Sequence, residues 1–257
     1  MRKIVKSCII AFSVYSKIPV PQLRWTDEDM KYMMCFFPWI GAVVGGILYG
    51  WFWLAGRVQV GNIGYVFIGT VIPLLLTGGF HVDGFMDTMD ALHSYQSKER
   101  KLEILKDSHI GAFACIMLVI YGLLYMGAFS EVKSAKTMGL VCSTFFLSRC
   151  LSGIGVVSFR SAKKEGMLYT FSDRSHKRIV KGMLYVQTIF CVGWILGIHR
   201  LFGGIAVLTA FISFGYYRWK SYKEFGGVTG DTAGYFVLIC ECSVMITMAI
   251  LEKFVSM

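Results

Sequence analysis

Three aspartates between residues 83 and 90 have the spacing that would place their carboxylates on one face of a helix. Asp83, Asp87 and Asp90 are separated by four and then three residues, as neighbours on a helical surface are. No Lys or Arg lies three or four residues from any of them, so the carboxylates would repel one another without a bound cation. Mg²⁺ suits such oxygen ligands, because it commonly binds one or two carboxylates together with substrate phosphates. We therefore predict a Mg²⁺ site here, with a solvated acidic surface as the alternative.

A second acidic stretch ends at Asp107, which lies beside His109 and directly before an apolar run. Glu103, four residues earlier, has lysines nearby and suits a surface ion pair. His109 is a candidate metal ligand or general base, although a single histidine more often has a structural hydrogen-bonding role.

The cations that open the loop 160–181 suit a diphosphate. Arg160, Lys163 and Lys164 lie where this loop leaves the expected membrane surface. A guanidinium can bind a phosphate through two parallel hydrogen bonds, and an ammonium binds it as a point charge. The cations of this loop can equally serve only to fix its side of the membrane.

A glycine-rich turn supplies the last group of candidates. Gly227 and Gly230 flank Thr229, and Asp231 follows directly. Backbone N–H groups of such a tight turn can hold an oxyanion, and Asp231 is a further candidate metal ligand. Carboxylates, cations and this turn together favour phosphoryl or nucleotidyl-type transfer, which needs charge neutralisation and positioning more than covalent catalysis.

The composition predicts that membrane helices position these groups. Of 257 residues, 55% are hydrophobic and 16% are charged, and the mean hydropathy is +0.58, whereas soluble domains carry about 45–50% apolar and about 25% charged residues. Disorder, a collagen-like fibre and a disulfide scaffold are excluded, and no C-x-x-C pair signals a zinc or redox site. We predict an all-α polytopic membrane bundle of about seven transmembrane helices, forming one domain over residues 1–257. The apolar stretches are 33–56, 58–80, 110–130, 137–159, 182–198, 201–217 and 232–251.

Two parts of this map have alternatives. The stretches 182–198 and 201–217 are at the short limit for crossing about 30 Å of hydrocarbon, and they could form one hairpin that does not cross fully. Segment 8–16 is too short to span and is followed by prolines, so we expect it to be interfacial or re-entrant.

The distribution of Lys and Arg predicts the orientation. Alternate loops carry 20 of these residues on one side and 5 on the other, which places the N-terminus in the cytoplasm and the C-terminus outside. The acidic stripe, the cations and the glycine turn then share the cytoplasmic side of the cell membrane. The net charge of +10 is accordingly a topology signal that would also favour an anionic substrate, and we expect no nucleic-acid partner. The sequence leaves a homo-oligomer open.

Arg149 and Glu241 lie inside predicted spans, where a charge is costly unless it is paired or faces a cavity. Each therefore has a functional or a helix-pairing role, and the two could pair with each other.

The motifs, taken in order, resemble the cobalamin synthase family, the adenosylcobinamide-GDP ribazoletransferases, over nearly the whole chain. They are FSVYSKIPVP (12–21), FPWIGAVVGG (37–46), GGFHVDGFMDTMDAL (78–92), ERKLEILKDSHIGAFA (99–114), AKKEGM (162–167) and GGVTGDTAG (226–234), with Glu241 downstream. Val82 departs from the pattern, because many members carry an acid there. Residues 93–95 replace a stretch that is Gly-rich in many relatives.

The resemblance implies a membrane enzyme of the late cobalamin pathway that requires Mg²⁺. It would join adenosylcobinamide-GDP to α-ribazole, or to α-ribazole 5′-phosphate. A ribose hydroxyl would attack the phosphate next to cobinamide, GMP would leave, and adenosylcobalamin or its phosphate would form.

The residue patterns described above fit this reaction, and four aspartates are expected to hold Mg²⁺ on the diphosphate, namely Asp83, Asp87, Asp90 and Asp107. Asp231 would complete the metal site or orient the attacking hydroxyl, and one aspartate or His109 would act as the base. The expected substrate-binding residues are Arg160, Lys163, Lys164, Gly227, Thr229 and Gly230.

Other membrane proteins fit less well. CDP-alcohol phosphatidyltransferases have an Ala-Arg pair after their Asp-Gly, whereas Gly84 is followed by Phe85 and Met86 here. Membrane prenyltransferases carry Asp-rich motifs in two similar halves, and no second DxxxD is present. A transporter or channel would distribute charges through its spans, where only Arg149 and Glu241 occur.

Overall fold

The computed structural model describes residues 3–163 and 175–255, and within them the chain folds into eleven α-helices. A 3₁₀ turn at Met33–Cys35 joins the second helix to the third. We number the helices α1 (Lys3–Tyr15), α2 (Asp27–Met30), α3 (Phe37–Arg57), α4 (Asn62–Thr77), α5 (Phe80–His93), α6 (Lys98–Ile104), α7 (Ala112–Glu131), α8 (Ala135–Ser158), α9 (Lys177–Ile198), α10 (Arg200–Phe225) and α11 (Gly230–Val255). The predicted all-α membrane fold is confirmed.

In the part of the chain that the structure describes, six helices are long and apolar enough to cross a membrane: α3, α7, α8, α9, α10 and α11. A seventh crossing arises if α4 and α5 count as one bent span. The predicted stretches 182–198 and 201–217 belong to separate helices of 22 and 26 residues, each long enough to cross by itself. Segment 8–16 belongs to α1, a helix of 13 residues, which is too short to span.

The stretch 58–80 differs from its prediction as one continuous span. Helix α4 ends at Thr77, and α5 leaves it at an angle of 94°. Gly78 and Gly79 cause this bend with φ angles of +63° and +77°, a left-handed conformation that glycine adopts without a Cβ penalty. The Gly79 N–H donates to the Leu74 carbonyl, which closes the end of α4. Helix α5, with its aspartates, is therefore turned away from the direction of α4.

Helix α8 lies at the centre of the bundle, and most of its residues are buried. Helix α3 packs on it through glycines, because a Cβ at Gly41 would lie 2.1 Å from the Phe145 carbonyl oxygen and one at Gly45 would lie 2.2 Å from that of Cys142. Small residues allow such close backbone contact between membrane helices. Helix α11 packs against both α8 and α5, so the core fixes the start of α11 beside the acidic helix.

Candidate active site

Helices α5 and α11 cross where each helix has a glycine, Gly84 in α5 and Gly234 in α11. A Cβ at Gly84 would lie 2.9 Å from both Cα and the carbonyl oxygen of Asp231, and one at Gly234 would lie 3.2 Å from the His81 carbonyl oxygen. A methyl group at Gly84 would push the helices apart, and one at Gly234 would require its neighbours to shift by a few tenths of an ångström. The close crossing therefore places Asp231, at the start of α11, next to the stripe on α5.

The carboxylates of this crossing influence one another. Burial, followed by the charges of Asp83, Asp231 and Asp90, raises the pKa of Asp87 to about 6, while Lys163 acts in the opposite direction. Asp87 is half-buried and Asp83 is exposed. We use the name acidic group for Asp83, Asp87 and Asp231. A cation placed among them would favour the ionised form of Asp87.

The acidic group fits Mg²⁺ by the chemistry of its donors. Within residues 3–163 and 175–255, no three His, Cys, Asp or Glu side chains converge closely enough to hold a metal by themselves. Mg²⁺ does not require this, because it usually retains waters and binds through one or two carboxylates plus substrate phosphates. One or two of these carboxylates would serve as ligands in such a site, and the Mg²⁺ site stays a prediction.

Asp90 has a different neighbour from the other aspartates of the stripe. A Cβ at Gly111 would lie 2.0 Å from its Oδ1 atom, so the carboxylate is packed against the residue that precedes α7. A negative charge at a helix N-terminus is stabilised by the helix dipole. This position gives Asp90 a structural role, whether or not it also binds a metal.

Asp107 and His109 lie apart from the acidic group. The Asp107 carboxylate accepts hydrogen bonds from the His109 backbone N–H at 3.0 Å and from its ring at 2.6 Å. The two side chains are 55% and 91% exposed, and among the described residues they belong to no group of three possible metal ligands. Their predicted roles as metal ligand and base remain predictions that this geometry does not support.

The glycine turn is joined to the segment that carries the predicted cations. Ser161 and Val228 form an isolated parallel bridge, in which the Val228 N–H donates to the Arg160 carbonyl and the Ala162 N–H donates to the Val228 carbonyl, each at 2.9 Å. Gly227 has no room for a side chain here, because a Cβ would lie 2.5 Å from the Arg160 carbonyl oxygen. Gly227, which the sequence predicted as a substrate-binding residue, thus also allows this close packing.

Of the predicted cations, Lys163 is near the acidic group. Burial lowers the pKa of Lys163, and Lys106 lowers it further, while Asp231 and Asp87 act in the opposite direction. Arg160 instead donates from Nε and Nη2 to the Gly226 carbonyl, at 3.0 and 2.6 Å. Lys164 lies outside the described residues. Among the described residues, Lys163 is therefore the predicted cation whose charge acts on the acidic group.

Thr229 caps the start of α11. Its N–H donates to Thr232 Oγ1 at 2.8 Å, and the Thr232 N–H donates to Thr229 Oγ1 at 3.1 Å. Gly230 is exposed and Asp231 lies in the first turn of the helix. The turn therefore presents a helix N-terminus, a place that favours anions, while the Thr229 hydroxyl already has a structural partner.

Sequence reasoning assigned no role to Lys17 or to the pair of Lys101 and Glu224. Lys101 donates to Glu224 at 2.5 Å and joins α6 to the end of α10. Lys17 lines a cleft that also contains Asp83. The motif at 12–21 was a signal for Lys17, whereas nothing in the sequence pairs residue 101 with residue 224.

The fold and the site together define an integral membrane protein in which carboxylates, a lysine and a helix N-terminus lie near one another. The chain belongs to the cobalamin-5-phosphate synthase family, whose model matches residues 7–249. This confirms the family that the motifs indicated, and the chain is an enzyme of that family.

Relatives cover almost the whole chain. It is 44% identical over 250 residues to the adenosylcobinamide-GDP ribazoletransferase of Lachnoclostridium phytofermentans, which covers 97% of this chain and 95% of that protein. It is 31% identical over 255 residues to the protein of the same name from Clostridium perfringens, covering 98% of this chain and 100% of that protein. No solved structure matches the chain.

Proposed function

We propose that this enzyme joins adenosylcobinamide-GDP to α-ribazole, or to α-ribazole 5′-phosphate, at the cytoplasmic face of the cell membrane. A ribose hydroxyl of the acceptor attacks the phosphorus next to cobinamide. The bond from that phosphorus to the oxygen of the GMP phosphate breaks, GMP leaves, and the hydroxyl proton passes to a base. Family membership, together with the acidic group beside Lys163, supports this proposal.

The residues of the acidic group have separable roles in this reaction. Asp83 and Asp87 would hold Mg²⁺, which when bound would neutralise charge on the diphosphate. Asp231 lies beside them at the start of α11 and orients or deprotonates the attacking hydroxyl. Lys163 offsets the negative charge that develops on the departing GMP. His109 is the weaker candidate for the base, because its ring is exposed and bonded to Asp107.

The test is an assay of purified protein in detergent with adenosylcobinamide-GDP and Mg²⁺, with and without α-ribazole. We expect one GMP for each corrinoid product formed, and we expect both to require the acceptor. GMP release that does not depend on α-ribazole would show a hydrolase instead of a transferase. Restoration of activity by Mg²⁺ after chelation would support the metal assignment, and full activity in excess chelator would contradict it.

A further inference from the structure

A cleft opens beside Asp83, on the side of α5 where α1 ends and α4 bends. Its volume is about 430 Å³, which lies within the range of small-molecule sites. Its walls are formed by Ser13 of α1, by Lys17 just after this helix, and by the bend at 77–79. Val82 and Met86 give it an apolar side. Because Asp83 belongs to the acidic group, the cleft is continuous with the candidate active site.

The fold holds Lys17 at the edge of this cleft. The Lys17 backbone N–H donates to the Leu76 carbonyl at 2.8 Å, which fixes the end of α1 against α4. The aliphatic part of the side chain lies across Gly78, where a Cβ would be 2.5 Å from Cε and 2.6 Å from Cγ of the lysine. The same glycine that bends the chain therefore leaves the space that the lysine stem occupies.

The ammonium of Lys17 has no ion pair or hydrogen bond with any residue that the structure describes, although Asp83 lines the same cleft. A lysine whose stem is held in place and whose charge is unpaired is well suited to bind an anion. Lys163 belongs to the segment that follows α8, whereas Lys17 belongs to the segment that follows α1. The two lysines thus belong to different parts of the site.

We propose that this cleft binds a phosphoryl group of a substrate and that Lys17 is the residue that binds it. The inference rests on the proposed function, in which two substrates carry such groups. One is the diphosphate of adenosylcobinamide-GDP, and the other is the 5′-phosphate of α-ribazole 5′-phosphate. The apolar side at Val82 and Met86 then contacts the organic part of the same ester.

The experiment compares Lys17→Ala with Lys17→Arg and with Arg24→Ala. Arg24 is an exposed cation of the same N-terminal region that does not line the cleft, so its variant removes an equal charge from the same side of the membrane. KM is measured for adenosylcobinamide-GDP, for α-ribazole and for α-ribazole 5′-phosphate. We expect Lys17→Ala to raise KM about tenfold for a phosphorylated substrate, because a hydrogen bond to a charged group is lost. Lys17→Arg should recover most of this, and Arg24→Ala should resemble the wild type.

The source of the phosphoryl group is distinguished by which KM changes. A higher KM for adenosylcobinamide-GDP with either acceptor assigns the cleft to the diphosphate. A higher KM for α-ribazole 5′-phosphate, with that for α-ribazole unchanged, assigns it to the 5′-phosphate. The inference is overturned if every KM of Lys17→Ala stays within twofold of the wild type, or if KM for unphosphorylated α-ribazole rises equally.

A failure of the proposed function is recognised separately. If the wild type releases no GMP, the equilibrium binding of inorganic pyrophosphate to the wild type and to Lys17→Ala takes the place of KM. Weaker binding by Lys17→Ala than by Arg24→Ala would support the phosphoryl subsite even then, and equal binding would reject it.

Discussion

Arg149 donates a hydrogen bond to the Glu241 carboxylate at 2.6 Å, where α8 and α11 meet in the interior of the bundle. Both side chains are almost fully buried, at 2% and 7% exposed. Ser148 also donates to Glu241, at 2.8 Å, and the Phe145 carbonyl accepts from Arg149. The pairing that the sequence suggested is confirmed. Since α11 carries Asp231, this ion pair helps to set the position of the candidate active site.

Replacing one partner should destabilise the protein strongly. In Arg149→Ala, the Glu241 carboxylate stays buried without its counter-charge, which costs about 3–5 kcal/mol in typical cases. The double variant Arg149→Met with Glu241→Met removes both charges and should lose much less. Thermal unfolding in detergent measures the difference. A single variant as stable as the wild type would show that the pair contributes nothing to holding the helices together.

The aspartates should differ in their importance for activity. Asp83→Asn and Asp87→Asn should lower Mg²⁺-dependent GMP release by on the order of a hundredfold or more, because each removes a carboxylate from the acidic group. Asp107→Asn is the matched comparison, since its carboxylate is exposed and bonded to His109. We expect it to retain most of the activity. An equal loss of activity in all three variants would support Asp107 as a metal ligand.

The close crossing of α5 and α11 predicts a specific effect at Gly84. Gly84→Ala introduces a methyl group 2.9 Å from the Asp231 backbone and should push the two helices apart. A displacement of about 1 Å can reduce a rate by about a hundredfold, so kcat/KM should fall while the protein still folds. Gly46→Ala is the control, because no atom of another helix lies within 4 Å of its added Cβ. Wild-type activity in both variants would show that the close crossing of α5 and α11 is not needed for activity.

The sequence predicted those features that depend on local pattern. The apolar runs gave the membrane helices, and the spacing of Asp83 and Asp87 gave two members of the acidic group. It could not show that Asp90 lies against Gly111, because that contact depends on how α7 approaches α5. The turn at Gly78 was visible as two glycines, but the 94° bend depends on φ angles that glycine permits without requiring.

The contact between α1 and α2 should weaken at low pH. The Thr26 backbone N–H donates to the Asp29 carboxylate at 3.1 Å, and Lys6 donates to it at 3.3 Å. These hydrogen bonds hold the pKa of Asp29 below its usual value, and the bond from the Thr26 backbone has the largest effect. The stabilisation is therefore fully present above the ordinary Asp pKa and is lost as the pH falls through the lowered value.

The comparison of wild type with Asp29→Asn tests this. Between pH 7 and pH 5 the wild type should be more stable, and below about pH 4 the difference should shrink as Asp29 becomes protonated. Thermal unfolding as a function of pH measures it, with Glu28→Gln as a control at an exposed neighbouring acid. A stability difference that stays constant down to pH 3 would contradict the role of the Asp29 charge.

The number of crossings determines the side on which the chain ends. Helix α4 has 16 residues, about 24 Å at 1.5 Å per residue, which is short for a bilayer but within the mismatch that membranes accommodate. The turn before α4 carries Arg57 alone, whereas residues 81–109 carry four Lys and Arg residues, so α4 should cross and leave α5 on the cytoplasmic side.

With seven crossings, a reporter fused after Met257 should be active only outside the cytoplasm. An N-terminal fusion, expected inside, is the control. A cytoplasmic signal from the C-terminal reporter would mean that α4 and α5 form a re-entrant pair, and the acidic group would then lie on the opposite face from the one proposed.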